Sequence, residues 1–292
     1  MVTRVASFMA IGFVGALAWL PHSFKNTIAR AFAALSYRHY PKARHIAERN
    51  LRLCFPQMHG EALQAALRDY FFNWARIWLD VGYIWWGSRA QIDRLVEIEG
   101  EAHLQSALSA GPVIILVNHS LNLEMASQAL NVRFDMIGFV KAPKNQALAN
   151  VVHQSRARFG ATLLPRESGL RAVIKALRPG RALYYFADED FEGKHAVESS
   201  LFGYQRPTLR VLAGLARTSG AQVVPLTAQF DSETGLYRLS IQPPIANVET
   251  VQQAADLVSA HLERELRENP SQYLLRIPLF RSVPLAVKPY GW

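Results

Sequence analysis

The stretch Val113-Ile-Ile-Leu-Val-Asn-His-Ser-Leu-Asn-Leu-Glu124 decides how the fold of this 292-residue chain is interpreted. Its first five residues are apolar and rich in β-branched side chains, which is typical of a strand covered on both faces. His119 follows that strand, and Glu124 comes five residues after the histidine. Because ligands of open α/β sheets bind beyond the carboxyl ends of the strands, His119 is a candidate functional residue.

The spacing of His119 and Glu124 has two interpretations. Within one helix, five residues turn the chain through roughly 500°, so the two side chains would not share a face. They can meet if His119 lies on the loop after the strand and Glu124 on the first turn of the next helix. The carboxylate would then hold the imidazole in one tautomer, while the other ring nitrogen accepts a proton from a hydroxyl. The alternative is that they are unrelated surface or capping residues.

Strand and helix patterns alternate along the chain from residue 95 onward. Strands are predicted at residues 96–98, 113–117, 136–140, 182–186, 223–228 and 237–241. Helices are predicted at residues 102–108, 123–130, 147–158, 169–177, 208–218 and 251–267, and in the first third at 43–53 and 60–78. This alternation predicts an α/β fold with a largely parallel central sheet flanked by helices.

The amino terminus predicts a membrane-anchoring helix over residues 1–22. Residues 5–20 carry no charge and are followed by Pro21 and a basic segment. A helix of that length covers about 24 Å, slightly short of a bilayer core, so it would either span marginally or lie in the interface. The alternative is a hydrophobic helix packed on the protein itself. Under the positive-inside rule the basic segment stays cytoplasmic.

The remainder, residues 23–292, contains no linker and is predicted to be a single domain. Its parts would be a helical region to about residue 94, an α/β core at 95–270 and a surface tail at 271–292. The net charge of +9 suits an anionic partner, and no nucleic-acid-binding signature accompanies it. Cys54 is the only cysteine, so no internal disulfide forms, which fits a reducing compartment.

Several kinds of chemistry lack their sequence motifs. No His-Glu-x-x-His, Cys-x-x-Cys or Gly-x-Ser-x-Gly pattern occurs, and neither nucleotide-binding glycine motif is present. We therefore predict no metal and no cofactor. Direct, base-assisted transfer to a hydroxyl remains.

Asp188 and Asp190 follow the strand predicted at 182–186. Such a run of acids could bind a metal, hold basic residues or cap a helix. However, two strand ends that both carry ionisable groups can converge on one cleft.

Four more side chains are candidates for binding an anion. Arg156 and Arg158 lie near the end of a predicted helix, where they could complement its dipole, or hold a phosphate or the charge on an acyl carbonyl. Thr208 is predicted to cap the helix at 208–218, whose first N–H groups could receive an anion together with Arg206.

With these residues in place, the chain resembles the lysophospholipid acyltransferase superfamily, whose signature is His-x-x-x-x-Asp/Glu. More narrowly, it resembles the bacterial lipid A late acyltransferases from about residue 4 to about residue 282. The shared elements are the amino-terminal helix, Arg49-Asn-Leu-Arg-Leu-Cys-Phe-Pro56, Asn118-His119-Ser to Glu124, Lys141-Ala-Pro-Lys-Asn145, the Arg156/Arg158 segment, Gly180 to Asp190, Phe202-Gly to Thr208, and Gly220 to Pro225. The chain departs from the family at Gln205-Arg-Pro207 and in the carboxy-terminal basic element, represented here by Tyr273 to Arg281.

The resemblance implies a specific reaction. His119, oriented by Glu124, would deprotonate a hydroxyl on a 3-hydroxyacyl chain of a lipid A precursor. That hydroxyl would attack the thioester of an acyl carrier protein, or of acyl-CoA, with no covalent enzyme intermediate. Arg156 would steady a phosphate or the oxyanion, and Asp188 and Asp190 would form a second acidic motif.

The resemblance also implies a location, the cytoplasmic face of the bacterial inner membrane, and an anionic glycolipid acceptor. Two alternatives remain. One is acylation of another polar lipid, such as lysophosphatidate or an aminolipid. The other is a non-catalytic lipid-binding membrane protein.

Overall fold

A computed structural model describes residues 2–140, 145–245, 248–285 and 288–291. Within these ranges the helices are α1 (Val2–Ala16), α2 (His22–His39), α3 (Pro41–Cys54), α4 (Gly60–Trp78), α5 (Val81–Trp86), α6 (Arg89–Leu95), α7 (Glu101–Ala110), α8 (Leu123–Arg133), α9 (Gln146–Ala157), α10 (Gly169–Ala176), α11 (Val211–Ser219) and α12 (Val251–Glu268). The strands are β1 (Val96–Glu99), β2 (Val113–Val117), β3 (Asp135–Val140), β4 (Thr162–Pro165), β5 (Arg181–Phe186), β6 (Ala196–Leu201), β7 (Tyr204–Leu209), β8 (Gln222–Phe230) and β9 (Tyr237–Ile241). The family motif from Lys141 to Asn145 lies outside the described residues except for Asn145.

Seven strands form the central sheet, in the order β1-β9-β8-β2-β5-β3-β4. Strands β8, β2, β5, β3 and β4 run parallel to one another, whereas β9 is antiparallel to β8 and parallel to β1. The predicted α/β fold with a mostly parallel sheet flanked by helices is confirmed.

Three strands were not predicted. Strand β4 is a four-residue edge strand, and β6 and β7 form a separate antiparallel hairpin that is rich in polar residues. None of them has the apolar run that identifies a strand buried in a sheet.

Strand β2 lies at the centre of the sheet, between β8 and β5, and all five of its side chains are buried. Val113, Ile115 and Val117 pack into the core that includes α7 and α8. Ile114 and Leu116 pack into the opposite core, which includes α10, α11 and α12. Because successive side chains of a strand point to opposite faces, only an uninterrupted apolar run can fill both cores.

A buried ionic cluster joins the amino-terminal helices to the sheet. Asp80, which precedes α5, accepts a hydrogen bond from Lys25 of α2 at 2.6 Å and pairs with Arg76 of α4. The hydroxyl of Tyr237 at the start of β9 donates to the same carboxylate at 2.8 Å. All four side chains are buried. Since an unpaired buried charge is strongly destabilising, the cluster fixes the position of the helices on the sheet.

Helix α1 packs closely against α5. A Cβ added to Gly82 of α5 would overlap the backbone carbonyl oxygen of Gly15. A 3₁₀ turn follows α1 and places Trp19 on the ring of Tyr83, with the ring centroids 5.3 Å apart. No helix among the described residues is both long enough and apolar enough to cross a membrane.

The predicted surface tail is wrong for the described residues after 270. Tyr273, Leu275, Leu279 and Phe280 are fully buried in the same core as α3 and α4. The described part of this segment consists of a 3₁₀ turn, an isolated bridge, turns and bends, so its buried apolar side chains follow neither helical nor strand periodicity.

Asn50 of α3 holds this carboxy-terminal segment in place. Its amide nitrogen donates to the carbonyls of Leu275 at 2.7 Å and Ile277 at 2.8 Å. Its amide oxygen accepts from the backbone N–H of Leu279 at 3.2 Å and from the hydroxyl of Tyr290 at 2.5 Å. The Arg-Asn-Leu element therefore acts by binding the end of the chain.

We predict that Asn50→Ala lowers the free energy of unfolding by about 2–4 kcal/mol, because it leaves buried backbone groups without partners. Urea denaturation followed by tryptophan fluorescence measures the change. Arg52→Ala on the exposed face of the same helix breaks only a surface ion pair and should cost less than about 1 kcal/mol. Equal losses in the two variants would contradict the assigned role of Asn50.

Candidate active site

The register of two parallel strands brings His119 and Asp188 together. Val117, the last residue of β2, is the partner of Phe186, the last residue of β5. His119 and Asp188 each lie two residues beyond these strand ends, so they meet at the carboxyl edge of the sheet. The two strand ends converge on one cleft, as the sequence pattern predicts.

Asp188 holds the imidazole of His119. One carboxylate oxygen lies 2.8 Å from His119 Nδ1, and the other accepts the backbone N–H of His119 at 2.8 Å. The Asp188 side chain is fully buried, whereas that of His119 is 25% exposed. His119 Nε2 lies 3.6 Å from the carboxylate of the half-exposed Glu189. The Nδ1 edge of the imidazole is therefore held by a buried carboxylate, while the side chain remains partly exposed.

The charge of Asp188 is kept by its neighbours. Burial alone would raise the pKa of this carboxyl, but His119 and the hydroxyl of Tyr273, 2.8 Å away, outweigh burial and hold the pKa below its ordinary value. An ionised aspartate at this place fixes the histidine tautomer with the proton on Nδ1.

Glu124 lies on the first turn of the helix after the loop, as predicted, but its carboxylate binds an arginine. The contact that orients His119 is made by Asp188, and Glu124 on the first turn of α8 binds Arg156 of α9 with both carboxylate oxygens. Burial alone would lower the pKa of Arg156, but the Coulombic attraction of Glu124 and its hydrogen bond together outweigh burial, so the pKa is raised. The carboxylate of Glu124 therefore holds the Arg156 guanidinium in place.

The Glu124–Arg156 pair lines a largely apolar pocket between α8, α9 and the neighbouring strands. Its apolar lining includes Leu123, Met136, Gly138, Phe139, Leu163 and Phe186. The Phe186 ring lies 4.8 Å from the His119 ring, measured between centroids. Phe186 therefore lies both in the wall of this pocket and beside the histidine.

Arg158 and Asp190 are used for structure. The guanidinium of Arg158 donates to the carbonyls of Tyr83 and Gly87, at the end of α5, and to the side chain of Gln128. Asp190 accepts from the backbone N–H of Ser282 at 2.7 Å and from its hydroxyl at 2.5 Å. The expected anion-binding role of Arg158 and substrate-binding role of Asp190 are not supported by these contacts.

The predicted helix cap at Thr208 is wrong. Thr208 lies in β7 and is fully buried, and its hydroxyl is bonded to Ser199 at 2.6 Å. Helix α11 begins three residues later, with Arg210 at the cap position. A serine or threonine before an apolar run suits an edge hairpin as well as a helix start.

Arg206 is also fully buried, and so it does not receive an anion at a helix start. One guanidinium nitrogen donates to the carbonyl of Leu279 at 3.2 Å. Burial lowers its pKa, and the charges of Asp188 and Asp190 act in the opposite direction. Arg206 is thus an interior cation behind the two aspartates.

The carboxy-terminal segment completes the site, which the sequence pattern did not indicate. Leu274 N–H donates to the carbonyl of His119 at 2.9 Å, and Leu121 N–H donates to the carbonyl of Gln272 at 2.8 Å. The side-chain oxygen of Gln272 accepts from Asn122 Nδ2 at 2.6 Å. The loop at 118–122 is therefore held between β2 and residues 272–274. Tyrosine and glutamine flanked by prolines carry no motif that would reveal such a contact.

Another unpredicted pair lies behind the histidine. Asn118 Nδ2 donates to the carboxylate of Glu265 on α12 at 2.7 Å, and both side chains are buried.

Across the described ranges, no cluster of three or more His, Cys, Asp or Glu side chains is placed to hold a metal ion.

Comparisons with known proteins agree on one family. A family model described as bacterial lipid A biosynthesis acyltransferase matches residues 1–282. The lipid A biosynthesis acyltransferase of Haemophilus influenzae is 24% identical over 94% of this chain and 87% of its own length. The lipid A biosynthesis lauroyltransferase of Escherichia coli is 25% identical over 96% of this chain and 93% of its own, and the palmitoleoyltransferase of the same organism is 23% identical over 96% and 92%.

We predict that Tyr273→Phe lowers the free energy of unfolding by about 2 kcal/mol at neutral pH, because a buried carboxylate loses a hydrogen-bond donor. A lowered pKa in Asp188 supplies stability above the ordinary value of 3.8 and loses it as the pH falls through the folded value. The difference between wild type and variant should therefore shrink below about pH 4. Chemical denaturation across this range measures it, and a difference that grows in acid would contradict the assigned contact.

Proposed function

Because the chain belongs to the bacterial lipid A biosynthesis acyltransferase family, we propose that it moves a fatty acyl chain from an acyl carrier protein thioester to a hydroxyl of a lipid A precursor. Its membership makes the protein an acyltransferase of lipid A assembly. The donor, the base and the location are the proposed parts. The observation that carries the mechanism is the 2.8 Å contact between His119 Nδ1 and the buried Asp188.

His119 is the proposed general base. With Nδ1–H donated to Asp188, Nε2 carries the lone pair that accepts the proton of the acceptor hydroxyl. The hydroxyl oxygen forms a bond to the thioester carbonyl carbon as the proton moves to Nε2. The tetrahedral intermediate then expels the thiolate, which takes the proton from the imidazolium. No covalent enzyme intermediate forms, and the buried charge of Asp188 stabilises the imidazolium throughout.

Arg156 is the proposed donor for the negative charge that develops on the thioester carbonyl oxygen. Glu124 binds its guanidinium at two points, so the cation is oriented before substrate arrives. The pair lies on the wall of the apolar pocket, where the acyl chain of the donor would extend past Phe186. Glu124 then contributes through Arg156, and Asp188 contributes through His119.

The net charge of +9 suits both proposed partners. A phosphorylated glycolipid and an acidic carrier protein are each attracted to a cationic surface. Acyl-CoA is the alternative donor, and another polar lipid is the alternative acceptor.

We propose that the protein lies on the cytoplasmic face of the inner membrane through α1 and α2. Helix α2 buries a lysine and exposes large apolar side chains. Lys25, Ala29 and Ala33 face the protein, whereas Phe24 and Phe32 are exposed. Leu35 of α2 and, on α1, Phe8, Met9 and Phe13 are exposed as well. Large apolar side chains on the outside of a helix indicate an apolar surrounding, and a helix that lies in the interface provides it.

Replacement of the base tests the reaction. We expect His119→Ala and Asp188→Asn each to reduce acyl transfer by 10²–10⁴-fold, because proton transfer from the hydroxyl is lost or the wrong tautomer is held. Purified protein, acyl carrier protein thioester and a tetra-acylated lipid A precursor form the assay. Asp135→Asn, at the opposite end of the sheet, is the matched control.

Undiminished transfer by His119→Ala would contradict the mechanism. Mass spectrometry of lipid A from cells that lack the gene tests the acceptor. A lipid A that has lost one acyl chain supports the proposal. If lipid A is unchanged and another lipid has lost an acyl chain, the proposed acceptor is wrong.

Vesicle binding tests the exposed apolar side chains of α2 as a membrane-binding surface. We expect the double variant Phe32→Ser, Leu35→Ser to bind phosphatidylethanolamine–phosphatidylglycerol vesicles at least about tenfold more weakly, since inserted apolar side chains each contribute on the order of 1–3 kcal/mol. Leu170→Ser removes an exposed leucine of α10 and serves as the control. Equal binding by wild type and the double variant would refute the role of α2.

A further inference from the structure

Glu265 is a buried carboxyl that the proposed mechanism does not use. It lies on α12, is 4% exposed, and faces Asn118, the residue immediately before His119. Asn118 belongs to the loop at 118–122, and a single peptide bond joins it to the proposed base, His119. Glu265 is therefore in a position to determine the geometry of the loop without contacting substrate.

The contact between these side chains is complete on one side only. Asn118 Nδ2 donates to Glu265 Oε2, but no amide, hydroxyl or cationic donor of the described residues reaches Asn118 Oδ1, which is fully buried. A buried acceptor without a donor is destabilising. A proton on the second oxygen of the Glu265 carboxyl would supply that donor and close a two-point contact between an amide and a carboxylic acid.

The surroundings of Glu265 favour the protonated form. Burial is the largest influence and raises the pKa of Glu265, and the negative charges of Asp188 and Glu268 also raise it. The hydrogen bond from Asn118 and the charge of Arg264 lower it. The net result is a pKa of about 8. The titratable and charged groups that face it are Asp188, Tyr184, Tyr273, Arg264 and Glu268. The pKa values of two nearby carboxyls are thus shifted in opposite directions, since that of Asp188 is lowered and that of Glu265 is raised.

We propose that Glu265 is a positioning residue that carries its proton in the active enzyme and fixes the Asn118–His119 loop by a two-point contact with the Asn118 amide. This rests on the proposed function, in which His119 is the base. When Glu265 ionises, Asn118 Oδ1 loses its donor and a second negative charge arises beside Asp188, so the loop and the base lose their fixed arrangement.

The protonation state is tested without any activity, by thermal unfolding of wild type and Glu265→Gln. The amide of the variant offers the same acceptor and donor but does not titrate. Because the folded-state pKa of Glu265 lies above its ordinary value of 4.5, its stabilising contribution is full below that value and is lost as the pH rises to about 8. We expect the melting temperature of wild type relative to Glu265→Gln to fall across this range.

A melting-temperature difference that does not change between about pH 5 and pH 8 would overturn the protonated state. Asp256→Asn removes an exposed carboxylate from the same helix, nine residues before Glu265, and should show no such trend relative to wild type. This arm gives an answer even if the protein transfers no acyl chain to lipid A.

The positioning role is tested by the pH dependence of turnover. We expect kcat of wild type to fall about tenfold from pH 7 to pH 9, as a single group with a pKa near 8 ionises, and kcat of Glu265→Gln to change less than about twofold. Glu265→Leu should lose kcat with little change in KM, since substrate is not contacted. An alkaline limb that persists in Glu265→Gln would refute the role. Absence of transfer by the wild type would instead refute the proposed function.

Discussion

The site depends on one buried negative charge, that of Asp188. An ionised carboxylate in the interior must be surrounded by donors, and the three that serve it come from distant parts of the chain. His119 provides its backbone N–H and its ring Nδ1 from the loop after β2, and Tyr273 provides its hydroxyl from the carboxy-terminal segment. Because an unpaired buried charge is strongly destabilising, Asp188 holds together the sheet edge, the loop at 118–122 and the carboxy-terminal segment.

The features that sequence predicts well are those with strong periodicity. The apolar run at 113–117 fixed the central strand, and the parallel pairing of that strand with β5 placed His119 near the acidic segment that follows Phe186. The spacing of His119 and Glu124 did not reveal the contact between His119 and Asp188. Glu124 is near His119 in sequence, but the carboxylate that holds the ring is Asp188, 69 residues away. Sequence spacing describes contacts within a turn or helix, whereas strand register is settled by the packing of the whole sheet.

The errors at Thr208, Arg206 and the segment after residue 270 have a common cause. Each lies in irregular or polar structure, where burial is decided by neighbours that are remote in sequence. Arg206 has the composition of a surface ligand, yet Leu279 and the two aspartates enclose it. Tyr273 and Glu265 are ordinary residues in sequence, and only the folded arrangement brings them to the carboxylate and the amide that flank His119.

The binding of residues 275–290 by Asn50 has a consequence for the order of biosynthesis. A ribosome makes α3 early and the segment that Asn50 holds some 225 residues later. Until that segment emerges, the Asn50 amide lacks its backbone partners, and Asp188 lacks the hydroxyl of Tyr273. A nascent chain can pair the strands of its sheet before that point, but the arrangement around His119 forms only after residues 272–274 have left the ribosome.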